Sequence, residues 1–439
     1  MKSTRKAAVA IVGLSLVMTG CGGGTDSPET ASTTTKQVST GTSGGDYGGV
    51  TELNIYSQFN RGTPLGTVQE EVLKQFTEET GIEVTVADAV GDNAMEAYEA
   101  QVAAGEEADM VIINPTNRAR DWVKNGAVVN VDKYLEEWGL ADKLSEGALE
   151  GWRDDEDNLL GFPYVGFEWP VYWNMDVLGE AGITEAPKTA DEMYAAAEAL
   201  GDTPLFVAGG GDWTGQALFF HVLNTYTDPE DMKEVWRNGG YCSNEQVMQG
   251  IEYFVEMRDG GIFIDDAAGY MQDQQNQTFF TGGAAAMSGG SWWFEDVPEE
   301  MRDSIELGGI PVPDDAHYTK PMAAHGSTSG GFWISPNGEE KIEAIRALIE
   351  MFYSQEVASK VVTDTSTVTV VKLDPAPKAT NPLLGQAVND LPGRVEYVPM
   401  LDFEIPTAVQ AQNPAVTAQV YGPGVTAQQI CESIDSLYN

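Results

Sequence analysis

The chain has 439 residues, of which 68 are acidic and 24 basic, and its formal net charge is −44 at pH 7. Such an acidic surface repels nucleic acid and anionic lipid, so we expect neither as a partner. The three histidines, His221, His317 and His325, show no H-E-x-x-H or similar spacing, and we expect no metal site and no cofactor.

The N-terminus has the pattern of an export signal. Three basic residues precede a run of twelve apolar or small residues, 7–18, which is shorter than the ~20 residues that span a bilayer. Residues 1–20 are therefore predicted to be a signal peptide. The run ends in "MTGC", which resembles a lipobox with Met18 where Leu is usual, so Cys21 is predicted to carry a lipid anchor. An ordinary signal peptide with an incidental cysteine is the alternative.

The anchored chain is expected outside the cytoplasm, attached to the cell membrane of a Gram-positive bacterium only through its lipid. Residues 21–49 are nearly all Gly, Ser, Thr and other small polar residues, which predicts a flexible tether. The rest of the chain, from Val50 to Asn439, has about 390 residues. This length exceeds one compact core, and we expect two domains.

The first part of the folded chain alternates strands with helices. Apolar periodicity predicts strands at 52–57, 82–86 and 108–114, and helices at 67–81 and 95–105. Thr67 and Glu70 are predicted to form a capping box at the start of the first helix. The β-α-β-α-β order favours a parallel sheet with helices on both faces.

The alternation starts again after residue 174. Helices are predicted at 189–200, 214–226, 243–261 and 339–354, and strands at 203–209, 284–290 and 331–335. Thr189 and Glu192 predict a second capping box. The Gln-rich run 272–277 is interpreted as the solvated face of a helix.

Between these two parts lies "GFPYVGFEWPVYWN", residues 161–174, with six aromatic side chains around Glu168. A buried core strand is usually richer in aliphatic residues than in Trp and Tyr. Pro163, Gly166 and Pro170 also interrupt the run. This composition favours a wall that faces a ligand, with part of the rings in the core.

The order of these segments resembles the family 1 extracellular solute-binding proteins of ABC importers, the group that includes maltose-binding protein. The segments that carry the resemblance are "ELNIYSQFN", "EEVLKQFTEETGIEVTV", "ADMVIINPTNRARDWVKNGAVVNV", "LLGFPYVGFEWPVYWN", "FFTGGAAAMSGGSWWF" and "GSTSGGFWISPNGEEKIEAIRALIEMF". The resemblance implies an α/β fold of two lobes, each a mostly parallel sheet flanked by helices, with a ligand cleft between them. It also implies a binding protein, not an enzyme.

The resemblance divides the chain into two discontinuous lobes. The first lobe is expected to comprise 50–165 and 327–375, and the second 166–326 and 376–439. Strands near Val165–Gly166 and Ser327–Thr328 are expected to cross between the lobes and to serve as a hinge.

The family pattern places Glu168 and Trp169 at the mouth of the cleft and Trp292 inside it, with Trp293 as packing. Rings stack on the apolar faces of sugars, and carboxylates or amides bind the hydroxyls. Loop residues at strand ends are further candidates, because open α/β sheets bind ligands there. These candidates, each with a structural alternative as a loop or cap residue, are Gln58, Asn60, Arg61, Asn114, Asn117, Asp212, Trp213, Ser291, His325 and Ser327.

The candidate residues include no cluster of basic side chains, which a phosphate or acidic sugar would need. A neutral mono- or oligosaccharide is the expected ligand, and several tryptophans favour an oligosaccharide. The expected partner is the permease of an ABC importer, and the chain is expected to be a monomer. A glycosidase with paired carboxylates and a surface glycan adhesin without a transporter are the alternatives.

Cys242 and Cys431 are the remaining cysteines, in a compartment that permits disulfides. The family packs its terminal helix onto the second lobe, where Cys242 begins a helix. A disulfide between the two is therefore expected, with two buried thiols as the alternative.

Overall fold

The structure is a computed structural model that describes residues 47–58, 62–89, 94–114, 117–154, 156–375, 377–400 and 404–439. The predicted signal peptide, the lipidation site Cys21 and most of the predicted tether lie outside the described residues. Asn60 and Arg61 also lie outside them, and the side chain of Asn117 is not described. Within the described residues, no helix has the length and hydropathy needed to cross a membrane.

The fold mixes strands and helices along its whole described length. The strands are β1 Glu52–Ser57, β2 Glu83–Asp88, β3 Met110–Ile113, β4 Phe162–Trp169, β5 Val171–Asn174, β6 Phe206–Val207, β7 Ala286–Ser288, β8 Ile305–Gly308, β9 Met322–Ile334, β10 Val368–Thr369 and β11 Glu396–Val398. The helices of the first half are α1 Pro64–Thr80, α2 Ala94–Ala104, α3 Asn117–Asn125, α4 Asp132–Glu137, α5 Glu146–Glu150, α6 Met175–Glu180, α7 Ala190–Leu200 and α8 Trp213–Leu223. The later helices are α9 Pro229–Asn238, α10 Glu245–Asp259, α11 Gln272–Phe280, α12 Glu299–Arg302, α13 Pro336–Glu339, α14 Ile342–Phe352, α15 Gln355–Thr365, α16 Pro382–Asn389, α17 Leu391–Arg394, α18 Thr407–Gln410, α19 Asn413–Val420 and α20 Ala427–Asp435.

The predicted helices and strands are found, with shifted ends. Helix α7 begins after Thr189, whose side chain forms the predicted capping box with Glu192. Helix α1 begins at Pro64, three residues before the predicted start, because Thr63 caps it and Pro64 fits the first helical turn. The predicted helix 339–354 is divided into α13 and α14.

The first sheet has the strand order β10-β4-β9-β3-β1-β2, and β11 pairs with β9. Strand β1 runs parallel to β2 and β3, as the β-α-β-α-β order predicts. Strands β4 and β9 are antiparallel to each other, and β9 is antiparallel to β3. We call the part of the chain around β1, β2 and β3 the first lobe.

The second sheet has the order β6-β7-β5-β8, and the part of the chain around it is the second lobe. Only β6 and β7 are parallel there, and β5 is antiparallel to both β7 and β8. The expectation of a mostly parallel sheet in each lobe is thus wrong for the second lobe, and in the first sheet three of the six described strand pairings are antiparallel. The short strands of the second lobe include β5, which follows β4 directly across Pro170 and belongs to the second sheet, whereas β4 belongs to the first.

Each lobe has its own hydrophobic core. The core of the first lobe draws on residues from Leu53 to Val165 and from Phe332 to Val371. The second sheet is covered on both faces, since Val171 and Trp173 belong to one cluster and Tyr172 to another. The expected α/β fold of two lobes is confirmed, and the residue limits of the lobes stay a prediction.

Strands β4 and β9 pass through both cores. Val165 packs in the first core, and Phe167 and Trp169 pack in the second. Their pairing shifts register between Pro163 and Val165 and again between Val165 and Phe167. A Cβ on Gly166 would lie 2.6 Å from the carbonyl oxygen of Gly326, so the two backbones approach closely at the expected hinge.

The end of the chain is tied to the second lobe. A disulfide joins Cys242 to Cys431 of α20, with the sulfur atoms 1.98 Å apart. The carboxylate of Asp435 accepts hydrogen bonds from the backbone N–H groups of Gly240, Tyr241 and Cys242. Helix α20 is thereby fixed beside the start of α10.

Candidate functional site: a cleft between the two lobes

A cleft with a volume of about 1270 Å³ lies between the lobes. The crossing strands contribute Val165, Gly166 and Ser329 to its lining. The lining residues that the structure describes in the first lobe are Gln58, Thr63, Pro64, Leu65, Ala89, Ala94, Met95, Glu96, Ile113, Asn114, Arg118, Thr365 and Thr367. Those of the second lobe are Gly211, Asp212, Trp213, Gln272, Ser291, Trp292, Trp293, Glu295, Asp296, Thr407, Gln410, Ala411 and Pro414.

The first-lobe wall contains two of the predicted polar residues. Gln58 follows β1 and Asn114 follows β3, so the parallel strands bring both to the same edge of the sheet. The amide of Gln58 accepts from the backbone N–H of Asn114 at 3.2 Å and donates to the carbonyl of Ser329 at 3.1 Å. Gln58 therefore connects this edge to the crossing strand β9.

An ion-pair network borders the same wall. The guanidinium of Arg118 donates to both carboxylate oxygens of Glu99, at 2.8 and 2.6 Å, and also pairs with Glu96. The hydrogen bonds from Arg118 hold the pKa of Glu99 below its ordinary value. Because two carboxylates compensate its charge, Arg118 presents little net positive charge to the cleft.

Asp212 lies at the second-lobe wall as predicted, but its carboxylate is engaged. One oxygen accepts from the backbone N–H and the hydroxyl of Thr214, at 2.9 and 2.7 Å, and the other accepts from the N–H of Gln272 at 2.6 Å. Asp212 is the N-cap of α8. Its role in this structure is to fix the turn before α8, which sets the position of Trp213.

Trp213 and Trp292 form an exposed aromatic surface on the second lobe. Their side chains are 41% and 38% exposed, and their ring centroids lie 6.2 Å apart with planes inclined at 34°. The indole N–H of Trp213 donates to Gln272 at 3.1 Å. We call these two residues the tryptophan platform.

Two glycines make room for the indoles of the platform region. A Cβ on Gly290 would lie 2.3 Å from the ring of Trp292, and one on Gly289 would lie 2.1 Å from the ring of Trp293. Trp293 is buried, in agreement with its predicted packing role, although it also borders the cleft. Glycine is therefore needed at positions 289 and 290, because the indole rings of Trp292 and Trp293 lie directly against these two residues.

The prediction that Trp169 faces the cleft is wrong. Its side chain is only 2% exposed, and its indole N–H donates to the hydroxyl of Ser288 at 2.9 Å. Its ring centroid lies 5.5 Å from that of Trp213 and 5.3 Å from that of Trp292. Trp169 thus supports the platform from behind, because the strand that carries it is covered by the second-lobe core.

Glu168 is likewise not brought to the cleft. Phe167 and Trp169 both contact Trp292, and alternate side chains of a strand point to opposite faces, so Glu168 points away from the platform. It lies beside Tyr397, and its backbone N–H donates to Ser291. Burial raises the pKa of the Glu168 carboxyl to about 7, and the neighbouring hydroxyl of Tyr397 offsets only part of this effect.

His325 and Ser327, predicted from the second crossing, also lie outside the cleft lining. The ring of His325 lies against that of Tyr397, with centroids 4.1 Å apart and planes inclined at 32°, on the same face as Glu168. The hydroxyl of Ser327 donates to the carbonyl of Gly147 at 3.3 Å. Ser291 is the predicted serine that does line the cleft, although its hydroxyl already accepts from Glu168.

Several lining residues were not predicted from the sequence. Asp296 is exposed in the cleft wall four residues after Trp292, and its carboxylate makes no hydrogen bond or ion pair with another described residue. Partial burial of the carboxyl and the nearby Glu295 raise its pKa above the ordinary value. The turn that carries Asp296 has no periodic pattern, and its closeness to Trp292 was the only available signal.

The Gln-rich run is a solvated helix face only in part, since Asp273, Gln274 and Gln277 are exposed. Gln272 lines the cleft and accepts from Trp213, as described above. Gln275 is buried, accepting from the N–H of Gly209 at 2.8 Å and donating to the carbonyl of Ser288 at 3.4 Å. In the part of the chain that the structure describes, no group of three or more His, Cys, Asp or Glu side chains has an arrangement that suits a metal ion.

The structure has two lobes joined by crossing strands, and polar side chains of one lobe face the tryptophan platform of the other across the cleft. These features define a ligand-binding protein of the two-lobed type. The family described as "bacterial extracellular solute-binding protein" matches residues 61–359. The chain belongs to this family, as the resemblance of its segments predicted. Membership implies a location outside the cytoplasm and a binding function, since proteins of this family are not enzymes.

Solved structures resemble the whole described fold. A probable secreted solute-binding lipoprotein from Streptomyces coelicolor shares 31% identity over 89% of this chain and 98% of its own, with a TM-score of 0.81. A chitin oligosaccharide binding protein shares 22% identity over 89% and 98% of the two chains, with a TM-score of 0.73. An ABC substrate-binding protein from Listeria monocytogenes in complex with cycloalternan shares 15% identity over 88% and 98%, with a TM-score of 0.68. A comparison with curated proteins finds no match.

Proposed function

We propose that the protein is a lipid-anchored solute-binding protein that captures a neutral carbohydrate, an oligosaccharide in preference to a monosaccharide, and delivers it to an ABC importer. The observation that carries the proposal is the tryptophan platform of Trp213 and Trp292 in a cleft whose other wall carries polar side chains such as Gln58 and Asn114. Exposed indoles stack on the C–H faces of sugar rings, and amides such as that of Asn114 bind the hydroxyls at the edges.

The charge of the lining supports a neutral ligand. Arg118 is the basic residue among the described lining residues, and Glu96 and Glu99 compensate it. A phosphate or sugar acid would need donors whose charge is free, such as paired arginines. The size of the cleft and the two adjacent rings support a ligand of more than one sugar unit. Two of the similar proteins are described with an oligosaccharide or cycloalternan.

Isothermal titration calorimetry against neutral oligosaccharides, amino acids and phosphorylated compounds tests the ligand class. We expect binding only among the neutral sugars. Trp292→Ala should weaken that binding roughly tenfold or more, because stacking contributes about 1 kcal/mol beyond burial. Tight binding of a charged compound that is not a sugar, or unchanged sugar affinity in Trp292→Ala, would contradict the proposal.

Asp296 replaces Glu168 as the acidic residue expected to accept ligand hydroxyls. Asp296→Asn keeps the shape but removes the charged acceptor, and we expect roughly tenfold weaker sugar binding. Asp303→Asn is the matched control, since Asp303 is exposed outside the cleft lining and the charge change is the same. If the two variants bind the sugar with equal affinity, Asp296 does not contact the ligand.

Activity on glycans is the competing function. A glycosidase needs two carboxylates flanking the scissile bond. The carboxylate of Asp212 accepts hydrogen bonds from Thr214 and Gln272, and that of Glu295 pairs with Arg302 at 3.1 Å. Asp296 is therefore the carboxylate of this wall that could serve as a catalytic acid or base. Release of reducing ends from an oligosaccharide that the protein binds would favour the enzyme.

The anchor and the transport partner have separate tests. Cys21→Ala should move the protein from the membrane fraction to the medium, and a variant that stays on the membrane would contradict lipidation. Delivery to an importer would be supported by permease genes beside the gene for this protein. It would also be supported by sugar uptake that requires both the permease and this protein. Sugar binding without such a permease would favour a surface adhesin.

A further inference from the structure

The second lobe contains another cavity, separate from the cleft. Its volume is about 590 Å³, and none of the residues that line it lines the cleft. It lies where the start of α7, strand β8, the loop 311–321 and the end of α17 meet. We call it the β8 cavity and define it by the lining residues Trp173, Lys188, Gly308, Tyr318, Lys320 and Arg394.

Two buried donors in the wall of the β8 cavity lack an acceptor among the described residues. The side chain of Trp173 is 0% exposed, and its indole N–H, which can only donate, has no hydrogen-bond partner. Tyr318 is 8% exposed, and its hydroxyl also has none. Burial raises the pKa of Tyr318 to about 12, which keeps this hydroxyl protonated. Buried polar groups are almost always paired, so each of these donors suits an acceptor from a bound molecule.

Gly308 lies directly beside the indole N–H of Trp173. A Cβ at this position would be 3.0 Å from the indole nitrogen and 3.2 Å from the neighbouring ring carbon, closer than ordinary contacts. Gly308 and Trp173 both line the β8 cavity. Glycine at this position therefore avoids a close contact between a side chain and the indole N–H of Trp173.

The charges around the β8 cavity differ from those of the chain as a whole. Three basic residues and two acidic residues line it, whereas the chain carries a net charge of −44. Arg394 lies 3.6 Å from Glu306, and Lys188 pairs with Glu185 at 2.8 Å. Lys320 donates to the carbonyl of Gly393 at 3.2 Å and forms no ion pair with a described carboxylate. Of the three basic lining residues, Lys320 is thus the one without an ion pair among the described residues, and Asp314 is a lining carboxylate that also has none.

We propose that the β8 cavity binds a small anion, a carboxylate or a phosphate, whose oxygens accept hydrogen bonds from Trp173 and Tyr318 and whose charge Lys320 balances. Oxyanions offer several acceptor lone pairs and interact strongly with an ammonium group. The site lies outside the cleft, so it is independent of the proposed carbohydrate ligand.

Indole signals in ¹H–¹⁵N correlation spectra test this site directly. Each tryptophan gives one indole N–H signal, and that of Trp173 is assigned by its loss in Trp173→Phe. Titration with inorganic phosphate, and separately with succinate, at constant ionic strength should shift this signal saturably for at least one anion. The anion that shifts the signal shows whether the site prefers a phosphate or a carboxylate. No saturable shift with either anion would overturn the proposal.

Variants decide whether the named residues form the site. Lys320→Gln should lower the affinity for the anion at least fivefold. Gly308→Ala should lower it further, because the added methyl group crowds the indole of Trp173. Lys378→Gln is the matched control, because Lys378 is exposed and outside both cavities. Anion-dependent thermal stabilisation, compared between Lys320→Gln and Lys378→Gln, needs no spectral assignment if Trp173→Phe does not fold. Equal responses of these two variants would overturn the proposal.

Discussion

The substitution Gly290→Ala tests the geometry of the tryptophan platform. Gly290 has φ −75° and ψ 153°, which alanine adopts without strain, so the backbone should not change. The new Cβ, however, would lie 2.3, 2.4 and 2.5 Å from three atoms of the Trp292 indole. Since carbon atoms in contact lie about 3.5–4.0 Å apart, the indole must move by more than about 1 Å.

The size of the effect follows from what surrounds the indole. Trp292 contacts Phe167, Trp169, Trp213 and Trp293, so a displaced ring loses packed neighbours or leaves its preferred rotamer. Overpacking of this kind costs about 1–3 kcal/mol. For a lobe of this size we expect the melting temperature to fall by roughly 2–4 °C per kcal/mol.

Thermal unfolding and near-ultraviolet circular dichroism measure the two consequences. The dichroism reports the coupled tryptophan rings, and its signal should change in Gly290→Ala. The matched control is Gly179→Ala in helix α6, because a Cβ there meets no atom within 4 Å. That change should leave the dichroism alone and stabilise the helix by roughly 0.5–1 kcal/mol.

The reasoning fails if Gly290→Ala melts within about 1 °C of the wild type with an unchanged dichroism spectrum. In that case the Trp292 ring would not lie over Gly290. If the platform moves but the affinity for sugar is unchanged, the geometry stands and the proposed stacking role of Trp292 is wrong.

Three further predictions concern protonation, the disulfide and lobe closure. The wild-type free energy of unfolding should fall by up to about 3 kcal/mol between pH 4.5 and 7, because burial raises the pKa of Glu168 to about 7 and the folded state therefore favours the protonated form. Melting curves across this range should show the loss in the wild type and not in Glu168→Gln, which should bind sugar normally; equal pH dependence would contradict this. Thiol counting on unreduced, denatured Cys21→Ala protein should find no free thiol, because Cys242 and Cys431 form a disulfide. Two free thiols would show that these cysteines are unpaired. Reduction of the disulfide should lower the free energy of unfolding by about 2–4 kcal/mol. Small-angle scattering should give a smaller radius of gyration with bound sugar, and an unchanged radius at saturation would indicate a rigid cleft.

Local features of the fold were predictable because local chemistry determines them. The capping box of Thr189 and Glu192 needs only four consecutive residues, and it is found where the sequence placed it. The start of α1 was missed because Thr63 and Pro64 form a cap without the expected acidic residue. The antiparallel direction of β5 depends on its pairing with β7 and β8, which lie more than 100 residues further along the chain.

The candidate site was predictable in its location but not in every side chain. Residues after parallel strands, such as Gln58 and Asn114, converge because the topology requires it. The faces of β4 could not be assigned, since this strand is buried on both sides and shows no alternation of polar and apolar residues. The family pattern placed both Glu168 and Trp169 in the cleft, whereas Glu168 points away from it and Trp169 lies beneath the platform.

The two walls of the cleft differ in kind, and this has a kinetic consequence for the proposed ligand. The rings of Trp213 and Trp292 belong to one lobe, and the amide of Asn114 belongs to the other. A sugar can therefore stack on the open second lobe first and meet its hydrogen-bonding partners only when the first lobe closes. The association rate would then depend on the tryptophans, and the residence time on the first-lobe amides and the hinge. Substitutions on opposite walls should separate these two rate constants.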